Sequence, residues 1–375
     1  MSFKRLLVSL SFGLLIAVSN VGAQDEARFL LTFIPNVQFS PMYVAVAEGH
    51  MARAGLPDVQ IEYLNEPDVI DLVAVGQADF GIVSGEQAIQ AHAQGRPILY
   101  VYEWFDRYPI GIVFDAVRDV KTVRDLVDLR IGLPGRFGAS YSGLVALLRS
   151  EGLTEEQMDL QEIGFNAADV FCMGAVQASV VYSNNEPLQI ARRAADGNCG
   201  AVRAVRVLEV SDKLSLVSNG LITRQTLAEE RPDYVRAVVA AWDAGLRAVI
   251  NNPARAYLIS ADYVENLPLS AALRAALEAE AEAQDVFLAD RPSREAIAES
   301  RQALAERLAE RFTPAELIQF EVLLATIKYW DAEVLGETDP KAWETMLETL
   351  LAMGVVAQPV DLSRVYSNDF LPEQP

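Results

Sequence analysis

Histidine and cysteine are scarce in this chain of 375 residues, which contains two of each. His50, His92, Cys172 and Cys199 are too scattered to form a zinc or iron–sulfur motif, so we expect neither a metal nor another cofactor. Basic residues are also few: 31 Lys and Arg stand against 52 Asp and Glu, for a formal net charge of −21. A protein that neutralises phosphates needs a basic surface, so this balance argues against a nucleic-acid partner.

Long apolar runs are absent beyond the first residues of the chain. The richest later stretch, 235–250, is interrupted by Arg236, Asp243 and Arg247, so no later segment is predicted to span a membrane. Hydrophobic residues still make up 51% of the chain, which is enough for large buried cores and excludes wholesale disorder. At about 150 residues per domain, the length fits two domains.

Residues 1–23 have the pattern of a secretory signal peptide. Two basic residues precede an apolar run at 6–18, and Val21 and Ala23 occupy the −3 and −1 positions of a signal-peptidase site, so cleavage is expected before Gln24. The alternative is an uncleaved membrane anchor, although the run is short for a hydrocarbon core of ~30 Å. The sequence therefore predicts a periplasmic or extracellular protein.

The two cysteines leave two alternatives open. In an oxidising compartment Cys172 and Cys199 can form a disulfide, but two free buried thiols fit equally well. Spacing in the sequence does not fix the distance between the Cα atoms, so it does not decide between them.

Short apolar runs alternate with helical segments over the first 225 residues. Strands are predicted at 28–34, 59–64, 80–83, 98–104, 130–134, 160–165, 178–183 and 205–210. Strands separated by helices indicate βαβ units and a mostly parallel sheet. After residue 226, helical periodicity predicts a series of helices that cover a sheet domain. The two βαβ stretches are of similar size, as two lobes facing a cleft require.

Four segments together carry a resemblance to a known family. They are IPNVQFSPMYVAVAEGHMARAGL (34–56), VGQADFG (75–81), DLVDLRIGLPGRFGAS (125–140) and VVYSNNEP (180–187). Taken together they resemble the NMT1/THI5-like (SsuA/THI5-like) periplasmic substrate-binding proteins of ABC transporters, over about residues 28–225. His50 departs from the group, which has an aromatic residue there, and the helical C-terminal part is similar only in composition.

The resemblance implies a fold and a division into lobes. The group has an α/β, periplasmic-binding-protein-like (type II) fold, in which two βαβ lobes joined by two hinge strands enclose the ligand. Carried over, lobe 1 comprises 24–115 and 215–375, with the helical C-terminal region packed on it, and lobe 2 comprises 116–214. The hinge is expected near 112–115 and 214–219.

Ligands of open parallel sheets lie at the carboxyl ends of the strands, in the loops that start the helices. Six such loops, rich in aromatic and amide side chains, are expected to converge on one cleft. The candidate ligand-binding residues are Asn36, Gln38, Phe39, Tyr43, Ser84, Glu86, Trp104, Arg107, Tyr108, Gly138, Ser140, Tyr141, Phe165, Asn166, Tyr182, Asn185 and Glu186. Aromatic rings that stack on a base-like ligand contribute about 1–3 kcal/mol each, so this composition suits a flat nitrogen heterocycle.

Several of these residues also fit a structural role. Phe39, Tyr43 and Trp104 fit core positions, and NNEP (184–187) fits a helix N-cap with an acid in the first turn. The glycine-spaced turn at 132–138 fits either tight strand–helix geometry or a seat for an anion or a carbonyl on helix N–H groups. It lacks the lysine of a phosphate-binding P-loop.

The sequence contains no recognised catalytic motif, so no catalytic residue is assigned. Ser84 stands in GIVSGE, which is not a Gly-x-Ser-x-Gly elbow, and neither histidine has a spacing that recommends it as the base. Eukaryotic members of the group synthesise the thiamine pyrimidine and carry a Cys-rich iron motif. Cys172 stands alone in DVFCMG, and this departure speaks against a synthase.

The sequence therefore indicates a monomeric, extracytoplasmic solute-binding protein rather than an enzyme. Its expected partners are a vitamin-like heterocycle and an ABC transporter permease. The form PNVQFSPMYVA, together with NNEP, resembles the riboflavin-binding branch of the group, so riboflavin is the favoured ligand. The alternatives are a thiamine pyrimidine precursor of the hydroxymethylpyrimidine type, an alkanesulfonate and, as an enzyme, a thiamine-pyrimidine synthase-like protein.

Overall fold

The structure is a computed structural model that describes residues 27–373, so the signal peptide predicted at 1–23 lies outside the described residues. The strands in that part of the chain are β1 (Ala27–Thr32), β2 (Val59–Leu64), β3 (Phe80–Ser84), β4 (Ile98–Glu103), β5 (Ile110–Asp115), β6 (Arg130–Leu133), β7 (Asp159–Glu162), β8 (Ala178–Tyr182), β9 (Val205–Glu209) and β10 (Asn219–Arg224).

Helices connect and cover these strands. They are α1 (Ser40–Ala47), α2 (His50–Arg53), α3 (Glu66–Ala74), α4 (Gly85–Ala93), α5 (Gly138–Ser150), α6 (Ala167–Cys172), α7 (Glu186–Ala195), α8 (Gln225–Glu230), α9 (Pro232–Asn251), α10 (Pro253–Ser260), α11 (Ala271–Ala289), α12 (Arg294–Ala309), α13 (Pro314–Trp330) and α14 (Pro340–Ala352). Among residues 27–373, no helix combines the length and the apolar character that a membrane span requires.

The strands form two five-stranded sheets. Their orders are β2-β1-β3-β10-β4 and β7-β6-β8-β5-β9. In the first sheet β1 runs parallel to β2 and β3, while β10 is antiparallel to β3 and β4. In the second sheet β6 runs parallel to β7 and β8, while β5 is antiparallel to β8 and β9. Each sheet is therefore a set of βαβ units plus one antiparallel strand, contributed just after the chain crosses from the other sheet.

The chain crosses between the sheets twice, at 104–109 and at 210–218. The second crossing overlaps the predicted hinge segment at 214–219. The first crossing comes earlier than the predicted 112–115, because β5 already pairs with β8 and β9 in the second sheet. We therefore propose lobe 1 as the first sheet with α1–α4 and α8–α14, and lobe 2 as the second sheet with α5–α7.

The C-terminal helices pack on the first sheet, as predicted. Helix α9 lies against α1, and α10 packs between α1 and α11. Trp242 of α9 is fully buried and stacks on Phe29 of β1, with ring centroids 5.7 Å apart. This large aromatic contact fixes the helical region on lobe 1.

A second apolar core joins the two lobes behind the crossings. Helices α4 and α14 of lobe 1 pack against α5 of lobe 2. Ile222 of β10 and Ile112 of β5 belong to one continuous buried cluster. At the surface, Arg107 of the first crossing donates hydrogen bonds of 3.0 Å to Ser211 Oγ and Asp212 Oδ1 of the second. The two crossings are therefore tied to each other.

Lobe 2 contains a disulfide bond between Cys172 and Cys199. It joins the end of α6 to the segment that follows α7, and Cys199 is fully buried beside Phe171 and Ile190. Of the two alternatives that the sequence left open, the structure has the disulfide.

Candidate functional site

The ends of β2 and β3 bring two glutamates of lobe 1 into one site. Glu66 is the first residue of α3, and Glu86 is the second residue of α4, which directly follows Ser84 at the end of β3. Ser84 Oγ donates a hydrogen bond of 2.6 Å to Glu66 Oε2, and Asn219 Nδ2 of β10 donates one of 3.5 Å to Glu66 Oε1. Glu66 is thus held by two neutral donors.

The Glu86 carboxyl is buried and has no hydrogen-bond partner. The residue is 1% exposed, and neither carboxyl oxygen is bonded. Burial and the neighbouring charge of Glu66 raise the pKa of Glu86 to about 8, and burial also raises the pKa of Glu66. Most buried polar groups in proteins are paired, and strongly perturbed carboxyls in a cleft are typical of functional sites.

Lobe 2 contributes Tyr182, at the end of β8, and Glu186, the first residue of α7. Glu186 Oε2 accepts a hydrogen bond of 2.9 Å from the backbone N–H of Tyr182. Burial, followed by the charges of Glu66, Glu86 and Glu186, raises the pKa of the Tyr182 phenol well above its ordinary value. Because carboxyls from both lobes act on this phenol, the lobe 2 pair lies near the lobe 1 pair.

Helix α13 of lobe 1 reaches over to lobe 2 beside this site. Asn184, fully buried, donates a hydrogen bond of 2.8 Å from Nδ2 to Thr326 Oγ1. Tyr329 donates one of 3.1 Å from its hydroxyl to Glu209 Oε1. These two bonds connect α13 to the ends of β8 and β9.

Several predicted site residues lie in the protein interior rather than at the cleft surface. Tyr43 is fully buried and stacks on Tyr263, with centroids 4.4 Å apart. Trp104 is 3% exposed and lies between Phe39 and Trp330, at centroid distances of 5.5 and 5.6 Å. Its Nε1–H is buried without a partner. These rings therefore form the core of lobe 1.

Four other predicted residues have structural hydrogen bonds. Asn36 Oδ1 accepts from the backbone N–H of Gln38 at 2.9 Å and caps the short turn at 37–39. Arg107 spans the two crossings, as described above. Tyr108 is buried at the first crossing and donates from its hydroxyl to the carbonyl oxygen of Ala139 at 2.9 Å. Asn185 Oδ1 accepts from Gln189 Nε2 at 2.9 Å.

The predicted residues on α5 take three different positions. Gly138 starts the helix with a φ of +65°, and an added Cβ there would meet open space. Ser140 is buried. Tyr141 lies toward Glu155, and burial together with that carboxyl raises the pKa of Tyr141 to about 12. Gly138 and Tyr141 are thus both half-exposed, whereas Ser140 is not accessible to a ligand.

An exposed aromatic pair lies at the ends of β6 and β7. Phe165 is 78% exposed, and its ring contacts Phe137, itself 60% exposed, with centroids 6.4 Å apart. Asn166, next to Phe165, is exposed and makes a long hydrogen bond of 3.4 Å to the carbonyl oxygen of Ile163. Phe137 and Phe165 therefore give lobe 2 two solvent-exposed aromatic rings.

The sequence analysis missed Glu66, Asn219 and Phe137. Glu66 follows β2 directly, so the strand-end rule that selected Ser84 finds it once it is applied to 59–64. Phe137 lies between two glycines of the predicted turn, in the same loop as Gly138. Asn219 begins the antiparallel strand β10, and no local signal marks it.

The chain is similar to characterised binding proteins. It is 28% identical over 356 residues to the riboflavin-binding protein RibY of Chloroflexus aurantiacus, covering 93% of this chain and 86% of that protein. It is 28% identical over 280 residues to the formylaminopyrimidine-binding protein of Halalkalibacterium halodurans, covering 72% and 82%. A 4-amino-5-hydroxymethyl-2-methylpyrimidine phosphate synthase of Legionella pneumophila is 21% identical over 236 residues, covering 62% and 72%.

Solved structures confirm the predicted fold. A putative sulfonate ABC transporter protein, the periplasmic sulfonate-binding protein SsuA from Methylobacillus flagellatus, superposes with a TM-score of 0.58 at 14% identity, over 92% of both chains. The α/β, periplasmic-binding-protein-like architecture is therefore established. Residues 36–256, more than half of the chain, match the family model described as NMT1/THI5 like. This chain belongs to the NMT1/THI5-like family.

Proposed function

We propose that the protein is the extracytoplasmic solute-binding component of an ABC importer and that its ligand is a flat nitrogen heterocycle, with riboflavin favoured. The observation that supports this most directly is the buried Glu86 carboxyl, whose two oxygens have no hydrogen bond of standard geometry to any residue in 27–373. A buried polar group without a partner costs free energy, and a ligand N–H or O–H that reaches it removes that cost.

The composition of the site supports a donor-rich ligand. Glu66, Glu86 and Glu186 offer carboxyl oxygens, and Tyr182 offers a ring and a hydroxyl. Riboflavin has a ring imide N–H and four ribityl hydroxyls, which suit such acceptors. Phe165 adds an exposed ring face on which a flat ligand can stack.

The relatives favour riboflavin over the pyrimidine. The riboflavin-binding relative covers 93% of this chain, and the formylaminopyrimidine-binding relative covers 72%, at the same identity of 28%. The pyrimidine is the second candidate, because its amino group is also a donor. An alkanesulfonate is disfavoured, since its anionic group would meet the carboxyls of Glu66 and Glu86 and only neutral donors beside them.

Binding without catalysis is the further part of the proposal. The resemblance implies a Cys-rich iron motif in the eukaryotic synthases of the group, whereas the cysteines of this chain, Cys172 and Cys199, are bonded to each other. A disulfide also suits an oxidising, extracytoplasmic compartment. We infer that the lobes close on the ligand, that the extra contacts to lobe 2 favour the closed state, and that a permease then receives the ligand.

Titration of riboflavin fluorescence tests the proposal. Purified protein is expected to quench the flavin emission to saturation at micromolar concentration, and chromatography is expected to recover the flavin unchanged. Absence of quenching, together with binding heat from formylaminopyrimidine, would favour the second candidate. A chemically altered ligand would contradict a pure binding protein.

A further inference from the structure

Two carboxyls of the site, half-buried Glu66 and buried Glu86, form no ion pair with any residue that the structure describes. Among the described residues, Glu66 accepts hydrogen bonds from Ser84 and Asn219, both neutral, and Glu86 has no hydrogen bond of standard geometry, its nearest donors being Ser84 and its own backbone N–H. We propose that Glu66 and Glu86 form an anion filter, so that the site admits the uncharged form of its heterocycle and rejects the phosphorylated form. This inference rests on the proposed function and adds the charge class of the ligand.

The groups that surround the two carboxyls are neutral or acidic. Those that contact them or take part in their electrostatic interactions are Ser84, Tyr100, Tyr108, Tyr182 and Asn219. Glu186 also acts on Tyr182 from lobe 2. Arg107, a cation of the nearby crossing, is paired with Asp212 on the surface. A phosphate in the cleft would therefore meet carboxyls rather than the charged donors that phosphates require.

Phosphates commonly bind at helix N-termini, but the helices that begin at this site have acidic residues in their first turns. An N-terminus attracts an anion through its free N–H groups and its dipole. Helices α3, α4 and α7 begin at strand ends of the site, and their first turns contain Glu66, Glu86 and Glu186 respectively. A phosphate at any of these helix ends would thus lie beside a carboxyl of the first turn.

Paired titrations with riboflavin and riboflavin 5′-phosphate test the filter. Wild-type protein is expected to bind riboflavin at least 100-fold more tightly than the phosphate. At pH 9, above the pKa of about 8 of Glu86, this ratio is expected to fall at least tenfold in the double variant Glu66→Gln/Glu86→Gln, because glutamine keeps the size of the side chain but removes its charge. Glu299→Gln, an exposed position on α12, is the matched control and keeps the wild-type ratio.

The outcomes separate this inference from the proposed function. Equal binding of both flavins by the wild type, or an unchanged ratio in a folded double variant, overturns the filter while leaving the binding function intact. If neither flavin binds, the same ratio is measured with 4-amino-5-hydroxymethyl-2-methylpyrimidine and its phosphate. If no member of either pair binds, the proposed function and the filter both fail. Circular dichroism shows whether each variant is folded. If the double variant is not folded, the ratio of the wild-type affinities for the uncharged ligand and its phosphate decides whether the filter exists.

Discussion

Burial changes the acid–base chemistry of single residues in this protein. Glu86 and Glu103 are both buried, and the pKa of each is raised to about 8, chiefly by burial. An unfolded glutamate titrates near pH 4.3. The folded protein therefore binds more protons than the unfolded chain between about pH 4 and pH 8. The free energy of unfolding is expected to fall as the pH rises through this window.

Glu86→Gln removes one of these titrating groups. We expect the variant to lose less stability than the wild type between pH 5 and pH 8.5, because glutamine need not lose a proton in the buried site. The groups facing Glu86 are Glu66, Tyr100, Tyr108 and Tyr182, and the phenols stay protonated over this range. Urea unfolding at the two pH values measures the effect, with Glu299→Gln as the control. A variant with the wild-type pH dependence would contradict the assignment.

Trp104 was a candidate for stacking on the ligand, and its surroundings indicate a core role. It lies among Phe39, Phe105, Trp242 and Trp330. Trp104→Ala is therefore expected to lower the free energy of unfolding by about 3–5 kcal/mol, the usual cost of removing a buried large aromatic side chain. Chemical denaturation measures this cost. A variant as stable as the wild type would show that the ring does not support the core.

Tyr182 is only half-buried and lies among the carboxyls of the site. Tyr182→Ala is expected to weaken flavin binding by at least about 1 kcal/mol, on the scale of one stacking contact. Calorimetric titration measures this, and a melting curve close to that of the wild type excludes a general loss of structure. An unchanged affinity would remove Tyr182 from the site.

Sequence reasoning about single residues depends on the backbone position that each residue takes. The strand-end rule predicts that Ser84, Glu86, Tyr182 and Glu186 lie at the ends of strands, and all four do, since strand ends are local features of the sequence. The rule did not predict that Trp104 is a core residue. The burial of its ring depends on Trp242 and Trp330, which lie more than a hundred residues later in the sequence.

At the scale of elements, the alternation of strands and helices predicted the two sheets, but it did not predict where the chain changes sheet. The pattern predicted no strand at 110–115, and the resemblance placed these residues at the end of lobe 1, with the hinge at 112–115. Strand β5 instead pairs with β8 and β9. Such pairing depends on partners distant in sequence, which periodicity does not contain.

The disulfide is the strongest covalent constraint on lobe 2. Cys172 and Cys199 are 27 residues apart. Closing a loop of this length in the unfolded chain corresponds to about 3.5 kcal/mol of stabilisation in the chain-entropy model. Urea unfolding with and without a reductant is expected to show a loss of this order. The double variant Cys172→Ser/Cys199→Ser is the control, since a reductant should leave it unchanged. Equal stability of the oxidised and reduced wild type would contradict this account.

For the whole molecule, the two lobes are held together on both sides of the site. Helices α4, α5 and α14 share an apolar core behind it, and α13 contacts lobe 2 beside it through Asn184–Thr326 and Tyr329–Glu209. We propose that the apolar core is the pivot of lobe movement and that these polar contacts break when the lobes separate.

Thr326→Val removes one polar contact between the lobes without changing the side-chain size. Asn184 Nδ2 then loses its buried partner, which costs about 1–3 kcal/mol in the closed form. We expect the ligand-free variant to have a larger radius of gyration by X-ray scattering and to return to the wild-type value with ligand. Thr345→Val, which removes a similar bond to the carbonyl oxygen of Lys341 on α14, is the control. Identical scattering from the variant and the wild type would show that this contact does not hold the lobes closed.

The central claim is that two lobes enclose a flat heterocycle between acidic and aromatic side chains and release it chemically unchanged. Native mass spectrometry of freshly purified protein mixed with riboflavin tests it most directly. The account predicts one added mass equal to riboflavin, which dissociates intact on gentle activation. Protein that stays at its unliganded mass in excess riboflavin, or that releases a product of different mass, would contradict it.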